Sequence, residues 1–298
     1  MRVTENMTSA MVQSMLSQQQ ENINNLEQQA SSGLRINKPS DDPATAQQVL
    51  NLQGLLAASN QYSTNIQTGT AWLGQVDATM SSMNNVLTSA QELATQMSNS
   101  TYSASDRQNA ATQATQLLNQ LISLGNTQIE GNYVFGGFDN SQPPFDASGN
   151  FNGTNDSVNV EVDQGSYVSI NYSGGTLLRG GTPPGSSGTD VIGVLNNLIT
   201  ALTNNDVSGV SSTITGLNSS MSQLQTAQVD VGARENRLQN DANTLTSTQD
   251  YLTQSISAKQ DADYTQVLSD LSTQQTVYQA TLAVSAKFSQ LSLLDYMQ

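Results

Sequence analysis

The sequence contains neither cysteine nor histidine, and aromatic residues make up only 5% of it. Without cysteine the chain forms no disulfide and has no thiol nucleophile. Without histidine it lacks the commonest general base and the commonest zinc ligand. Few enzyme mechanisms remain once these groups are excluded. We therefore predict no catalytic residues, no metal site and no cofactor, and we expect that the protein is not an enzyme.

Charge is also scarce. Charged residues make up 11% of the 298 residues, against about 25% in an average soluble domain. Nine are basic and 24 are acidic, so the net charge is −15. Nucleic-acid binding is not expected, because it needs a clustered cationic surface. Uncharged Gln, Asn, Ser and Thr are covered by a neighbour at a smaller cost than ions, which favours a subunit of a polymer.

Long hydrophobic runs are missing as well. No stretch is apolar for long enough to cross a bilayer, so we expect no membrane insertion. Residues 1–20 are too polar for a secretory signal peptide, so we predict that any export occurs without a cleaved signal peptide.

Two stretches instead repeat an apolar residue every seven positions, the spacing of long helices that pack along a seam. The repeating residues are Ile66, Leu73, Met80 and Leu87 in the first half, and Leu217, Leu224, Val231, Leu238, Leu245 and Leu252 in the second. We predict that these ten residues form a core seam within the chain.

Weaker apolar stripes, at steps of three and four, occur near both ends of the chain. Their members are Val12, Leu16, Ile23 and Leu26 near the start, and Tyr264, Leu268, Leu271, Tyr278, Leu282, Phe288 and Leu291 near the end. Each stripe indicates an amphipathic helix that needs a partner, so the two ends are candidates to pair with each other. The later stripe is wide enough to touch more than one partner. We therefore predict that these eleven residues form an assembly interface.

Helix signals divide the rest of the chain. Asp41-Asp42 before Pro43 is more typical of a helix N-cap than of a metal site, and a helix is predicted from Ala44 to about Met97. The pattern from Ser103 to Asp106 predicts a further helix start, with that helix ending at Gly131.

Between residues 131 and 189 the pattern changes to short alternating segments with many Gly, Pro and Ser residues, most densely from Gly174 to Gly188. We predict a small β-rich insertion with flexible edges. An alternative is that a carboxylate pair makes the insertion an enzyme or glycan-binding module. Its acidic residues are Asp139, Asp146, Asp156, Glu161 and Asp163.

These patterns together predict a mainly α fold with three parts. Long antiparallel helices form a terminal coiled coil, an inner layer made of residues 1–40 and 260–298. Residues 41–130 and 190–259 form a central helical bundle, a rod domain, and residues 131–189 form the β-rich surface insertion.

Some residues have two interpretations. Arg234 and Arg237 either grip a partner or are ordinary exposed helix positions. Asn152-Gly153-Thr154 and Asn171-Tyr172-Ser173 fit the glycosylation pattern, but such triplets often arise by chance in a chain rich in Asn, Ser and Thr.

Several motifs resemble the flagellin superfamily of bacterial axial proteins. These are the start from Met1 to Met7, the run from Ser31 to Ala44, and the stretch from Val231 to Leu238. Within the superfamily, Tyr133 to Gly137 and the ending Ser292 to Tyr296 are similar to the hook–filament junction proteins.

The resemblance implies an extracellular structural subunit of the bacterial flagellum. Copies would assemble with themselves into a ring that joins the hook, through a neighbouring hook-associated protein, to the flagellin filament. The resemblance also implies a flagellar export chaperone and passage through the type III export apparatus. A short flagellin, the filament subunit itself, is the close alternative, and a type III translocator or phage-fibre coiled coil is a more distant one.

Overall fold

The computed structural model describes the backbone of residues 5–296 and the side chains of residues 7 and 9–287. Seven helices lie in this range: α1 Glu5–Ser32, α2 Pro43–Met97, α3 Ala104–Gly125, α4 Gly174–Arg179, α5 Val191–Thr203, α6 Val207–Gln260 and α7 Tyr264–Tyr296. Four short strands accompany them: β1 Gln128–Ile129, β2 Asn132–Tyr133, β3 Asn159–Asp163 and β4 Ser166–Ser169. The predicted mainly α fold class is confirmed. None of the helices, within the described range, is long and apolar enough to span a membrane.

The chain divides into two compact units. Met1–Ala58 with Thr248–Gln298 form what we call the terminal unit, and Ser59–Ser247 form the central unit. Both α2 and α6 contribute residues to each unit. The predicted three-part division of the chain stays a prediction.

Side chains at the helix starts satisfy the first free backbone amides, as the sequence signals predict. The Asp42 carboxylate accepts a hydrogen bond from the Thr45 amide at 3.1 Å, and Pro43 is the first residue of α2. Ser103 and Asp106 form a reciprocal capping box at the start of α3. Asp190 is the N-cap of α5, and its carboxylate accepts a hydrogen bond from the Gly193 amide at 3.0 Å.

The core of the central unit lies along the predicted seam. Gln91 hydrogen-bonds to Asn218, and Gln228 hydrogen-bonds to Asp77 at 3.3 Å. The residue numbers of the α6 partners fall as those of α2 rise, so the two helices are antiparallel there. One buried cluster contains nine of the ten seam residues: Ile66, Leu73, Met80, Leu87, Leu217, Leu224, Val231, Leu238 and Leu245. Each is at most 8% exposed, and the tenth, Leu252, is buried in the terminal unit.

The third helix ends at Gly125, so the predicted end at Gly131 is wrong. The side-chain amide of Asn126 hydrogen-bonds to the backbone of Phe145 as a neighbouring strand would. It donates to the Phe145 carbonyl and accepts from the Phe145 backbone amide, both at 2.9 Å. A Cβ on Gly125 would stand 2.7 Å from the Phe145 ring. This long-range packing turns the chain out of the helix and into β1.

The insertion holds less strand than its alternating pattern suggests. Its sheets are two antiparallel pairs, β1 with β2 and β3 with β4. A helix, α4, occupies part of the Gly-rich stretch, where the sequence predicts a flexible edge. Leu177 and Leu178 of α4 are fully buried, and the Gln223 amide of α6 donates to the Leu177 carbonyl at 2.8 Å. Those contacts come from distant parts of the chain and override the local Gly content.

Two arginines of α6 hold β4 and its continuation. Arg234 Nη1 donates to the Asn171 carbonyl at 3.0 Å, and Arg237 Nη2 donates to the Ser166 hydroxyl at 3.1 Å. Arg234 also pairs with Asp230 on its own helix. Both arginines therefore contact a part of their own chain, which neither sequence interpretation anticipated.

Asn171 is one of the two possible glycan acceptors. It is only 4% exposed; its amide donates to the Asp156 carbonyl at 2.9 Å and accepts from the Val158 amide at 2.8 Å. An acceptor must reach solvent, so the Asn171 triplet is a chance match. Asn152 is exposed.

Arg107 is a buried cation that sequence reasoning missed. It is 2% exposed and lies at the start of α3. Its guanidinium donates to the carbonyls of Met97, Asn99 and Tyr102 and to the Asn205 side chain, at 2.6 to 3.0 Å. The last carbonyls of a helix lack partners and carry partial negative charge, which favours a cation here. Arg107 thereby ties the end of α2 to the turn between α5 and α6.

Gly69 of α2 lies beneath the β3–β4 hairpin. A Cβ there would stand 2.9 Å from Ile170 Cγ2 and 3.2 Å from Leu238 Cδ1. Gly74 is on the same helix, but the nearest atom to its Cβ position, a carboxylate oxygen of Glu235, is 3.9 Å away. Glycine weakens a helix at either position by about 1 kcal/mol relative to alanine. The structure gives only Gly69 a packing reason.

The two glycines provide a matched pair of variants. We expect Gly74→Ala to raise the free energy of unfolding by up to about 1 kcal/mol, because alanine favours helix. We expect Gly69→Ala to lower it by about 1 to 3 kcal/mol through overpacking against Ile170. Urea unfolding followed by the fluorescence of Trp72, the one tryptophan, measures both. Equal stabilisation by the two substitutions would contradict this packing.

Candidate assembly surface

The two chain reversals of the terminal unit are joined to each other. The Arg35 amide, between α1 and α2, donates to the Gln260 carbonyl at 2.7 Å. The Ala262 amide, between α6 and α7, donates to the Gly33 carbonyl at 2.9 Å. We call this pair of hydrogen bonds and its surrounding residues the joint. The Ser31–Ala44 motif thus has a structural role in holding the ends of four helices.

The Arg35 side chain reinforces the joint. Its Nη2 donates to the Lys259 carbonyl at 2.8 Å, in the last turn of α6, where carbonyls lack helical partners. Its Nη1 lies 3.9 Å from the Asp42 carboxylate. Gly33 has a φ of +73°, a left-handed conformation that glycine adopts without strain, and it ends α1.

The neighbouring carboxylates are used by the backbone. Asp41 accepts hydrogen bonds from the amides of Asn37 and Lys38, at 3.0 and 2.9 Å. The hydrogen bond from Thr45, above all, lowers the pKa of the Asp42 carboxyl. These contacts agree with a turn and a helix cap. Among the described residues no three potential ligands gather as a metal site.

The acidic residues of the insertion are also engaged in turns. Asp146 accepts from the Ser148 amide at 2.8 Å, and Glu161 accepts from the Gly165 amide at 3.0 Å. Asp163 accepts from the amide that follows it. Carboxylates that stabilise turns typically make such hydrogen bonds to nearby backbone amides.

The first and last helices pack against each other in the terminal unit. Gln19 of α1 donates to Thr281 of α7 at 3.4 Å, and the joint lies at the other end of the pair, so α1 and α7 run antiparallel. Ile23 and Val267 are buried. Part of each terminal helix therefore packs against the other terminal helix.

The predicted assembly residues fall into four groups. Ile23 is buried; Val12, Leu16, Leu26, Leu271 and Tyr278 are half-buried; Tyr264, Leu268 and Leu282 are exposed; and the side chains of Phe288 and Leu291 lie outside the described residues. Sequence reasoning missed Val267, because the stripe at steps of three and four passes through its neighbour Leu268. The predicted set also leaves out Met7, Met11 and Met15, which repeat every four residues beside the first stripe.

Exposed apolar side chains concentrate in the terminal unit. Of the 14 large ones among the described residues, eleven belong to it: Met7, Met11, Met15, Leu50, Leu55, Tyr251, Tyr264, Leu268, Val277, Leu282 and Val284. The same unit buries six hydrophobic residues: Ile23, Ile36, Ala46, Val49, Leu252 and Val267. More apolar groups face out than in, which is typical of a surface that another protein covers. We call the exposed apolar residues of α1 and α7 the terminal row; they are Met7, Met11, Met15, Tyr264, Leu268, Val277, Leu282 and Val284.

Comparison with known proteins agrees with the helical ends. Residues 3–139 match the model of the bacterial flagellin N-terminal helical region, and residues 214–297 match that of the C-terminal helical region. The chain belongs to the flagellin family. Members of this family are structural proteins of the flagellum.

Relatives within the flagellin family differ in how much they share with this chain. Flagellar hook-associated protein 3 of Escherichia coli K12 is 28% identical over 287 residues, 90% of each chain. The flagellin of Salmonella typhimurium is 32% identical over 134 residues, 43% of this chain and 26% of that protein. The flagellar filament 30.7 kDa core protein of Treponema maltophilum is 22% identical over 96% of this chain and 95% of its own.

The fold itself recurs in a solved structure. The crystal structure of flagellar hook-associated protein-3 from Legionella pneumophila superposes with a TM-score of 0.62 at 15% identity. The superposition covers 70% of this chain and 98% of that one. At this identity the match concerns the fold alone.

The joint leads to a prediction for Arg35. We expect Arg35→Gln to speed hydrogen exchange of the Ala262 amide about fivefold, because losing a half-exposed charged hydrogen bond costs about 1 kcal/mol of local stability. Lys38→Gln removes a positive charge from the same loop and is the control. Exchange followed by mass spectrometry on the full chain measures both, and equal effects would count against a specific role of Arg35.

Proposed function

We propose that this chain is a structural subunit of the bacterial flagellum at the junction between hook and filament. In this proposal copies of the chain form a ring outside the cell. One side of the ring contacts the adjacent hook-associated protein, and the other side contacts flagellin. The observation that carries the proposal is the concentration of exposed apolar residues in the terminal unit, combined with similarity to hook-associated protein 3 over 90% of the chain.

The two units suit different tasks. The central unit buries its own seam and holds its insertion with hydrogen bonds, so it has what an independently stable domain needs. The terminal unit exposes apolar rows that would favour aggregation of a free monomer. When neighbouring subunits cover those residues, the burial of their apolar surface stabilises the assembly. A small number of charges makes such contacts cheaper to desolvate.

A short flagellin is the second candidate, favoured by the near full-length match to the Treponema filament core protein. The flagellin of Salmonella typhimurium, by contrast, shares only 43% of this chain. We propose export through the flagellar type III apparatus, with a chaperone bound before export, for either candidate. A chain without cysteine suits that route, since no disulfide forms early.

Deletion of the gene separates the two candidates. For a junction subunit we expect intact hooks, flagellin released into the medium, and recovery when the gene is restored. Immunogold labelling of the restored strain should give a band at the hook–filament boundary. Labels along the whole filament, or full-length filaments in the deletion strain, would refute the junction assignment.

The terminal row leads to a second test. We expect the triple substitution Met7→Gln, Met11→Gln and Met15→Gln to abolish complementation of swimming, because it removes apolar contact while keeping helix propensity. The control Val229→Gln changes an exposed apolar residue of the central unit. Circular dichroism of both purified variants should give the thermal midpoint of the unmodified chain. Normal swimming with the triple variant would argue against the row as an interface.

A further inference from the structure

A second apolar surface of the terminal unit is separate from the terminal row. It lies on α2, where Leu50 and Leu55 are each 57% exposed while Ala46 and Val49 are buried on the inner side. Helical geometry places the two leucines about 140° apart around the axis, with position 54 between them.

That intermediate position is Gly54, and no atom lies within 4 Å of where its Cβ would be. The exposed Asn51 and Ala58 share this outer side of the helix. We call Leu50, Asn51, Gly54, Leu55 and Ala58 the neutral α2 face. Small or neutral side chains lie between two leucines, a pattern that allows the close approach of another helix.

Tyr251 of α6 is a further exposed apolar side chain at a similar level along the helix axes. Lys259 of α6 donates to the Gln48 side chain at 2.8 Å, and this contact sets the register of α6 beside α2 in the terminal unit. Eight residues before Lys259 is Tyr251, and eight residues after Gln48 is Leu56, so these two positions lie at the same level on the antiparallel helices. Tyr251, which is 68% exposed, is therefore within a helical turn of Leu55 along the axis.

The charge pattern indicates what covers this face. No charged residue occurs between Pro43 and Val76, although the chain as a whole carries a net charge of −15. Identical acidic copies repel each other least where neither presents a charge at the contact. A different partner could offset acidic residues with basic ones and would not need a neutral contact. A charge-free apolar face is what copies of one acidic chain require in order to meet.

We propose that the neutral α2 face is a docking surface for a second copy of this chain, distinct from the terminal row. This inference rests on the proposed function, since it names a contact between subunits of the same assembly. Each copy would then have two apolar contact surfaces in its terminal unit, one on α1 and α7 and one on α2.

Site-specific photo-crosslinking tests the occupant. Benzoylphenylalanine is introduced at position 55 of the full chain, and sheared flagella are irradiated; positions 15 and 229 serve as controls. We expect a product of twice the chain's mass that contains only its own peptides from position 55, and none from position 229. A product with another protein at position 55, or no product there while position 15 reacts, would overturn the inference.

A double variant tests the contribution of the face. We expect Leu50→Gln with Leu55→Gln to keep the thermal midpoint of the purified chain, because both side chains are exposed. Self-association in sedimentation equilibrium should weaken about tenfold or more, since two apolar side chains lose their cover. Val229→Gln should leave association unchanged. Undiminished association in the double variant would contradict the proposal.

The two proposals fail in different ways. A labelled chain that is absent from the hook–filament boundary refutes the junction function. A chain that is present there, but forms no self-product from position 55, refutes only the docking face. If the junction function fails, photo-crosslinking of the concentrated purified chain still decides the inference: a dimer from position 55 supports it, and a monomer only refutes it.

Discussion

The apolar seam between α2 and α6 in the central unit is the interaction on which the other contacts of that unit depend. Burying each Leu-sized residue of such a seam contributes about 1.5 to 3 kcal/mol, and successive layers repeat this every seven residues. The β3–β4 hairpin then packs over Gly69, and Arg234 and Arg237 hold it from α6. These attachments require the two helices to be in register first.

Amide side chains do much of the work that ion pairs do in more charged proteins. The side-chain amides of Asn126, Asn171 and Gln223 each donate to a backbone carbonyl and accept from a backbone amide. Each therefore satisfies the same pair of backbone groups that a neighbouring β-strand would satisfy. A neutral amide that satisfies both groups costs less to bury than an ion. A sequence with 11% charged residues can therefore fix an irregular insertion without losing its neutral surface.

Local patterns predicted what depends on local interactions. The seven-residue repeat predicted the seam, and the cap residues predicted the starts of α2 and α3, because both signals act within a few helical turns. The end of α3 depends on Phe145 packing against Gly125, and α4 depends on Gln223 from a helix that comes later in the chain. Such contacts leave no periodic signal. For the candidate surface, the sequence indicated that the ends pair, but not which side chains remain exposed, since that depends on how α1 rotates against α7.

Polar and apolar groups have separate roles in the terminal unit. Hydrogen bonds of Arg35 and Ala262 fix both chain reversals, so the directions in which α1 and α7 leave the joint are set without using their apolar side chains. The exposed apolar side chains of both helices, unlike the buried Ile23 and Val267, remain free to contact neighbours. Ordering a flexible segment reduces the free energy gained on binding, and a segment with a fixed start loses less of it. The Ser31–Ala44 motif is therefore best understood as an element that prepares the apolar rows for assembly rather than as a contact surface itself.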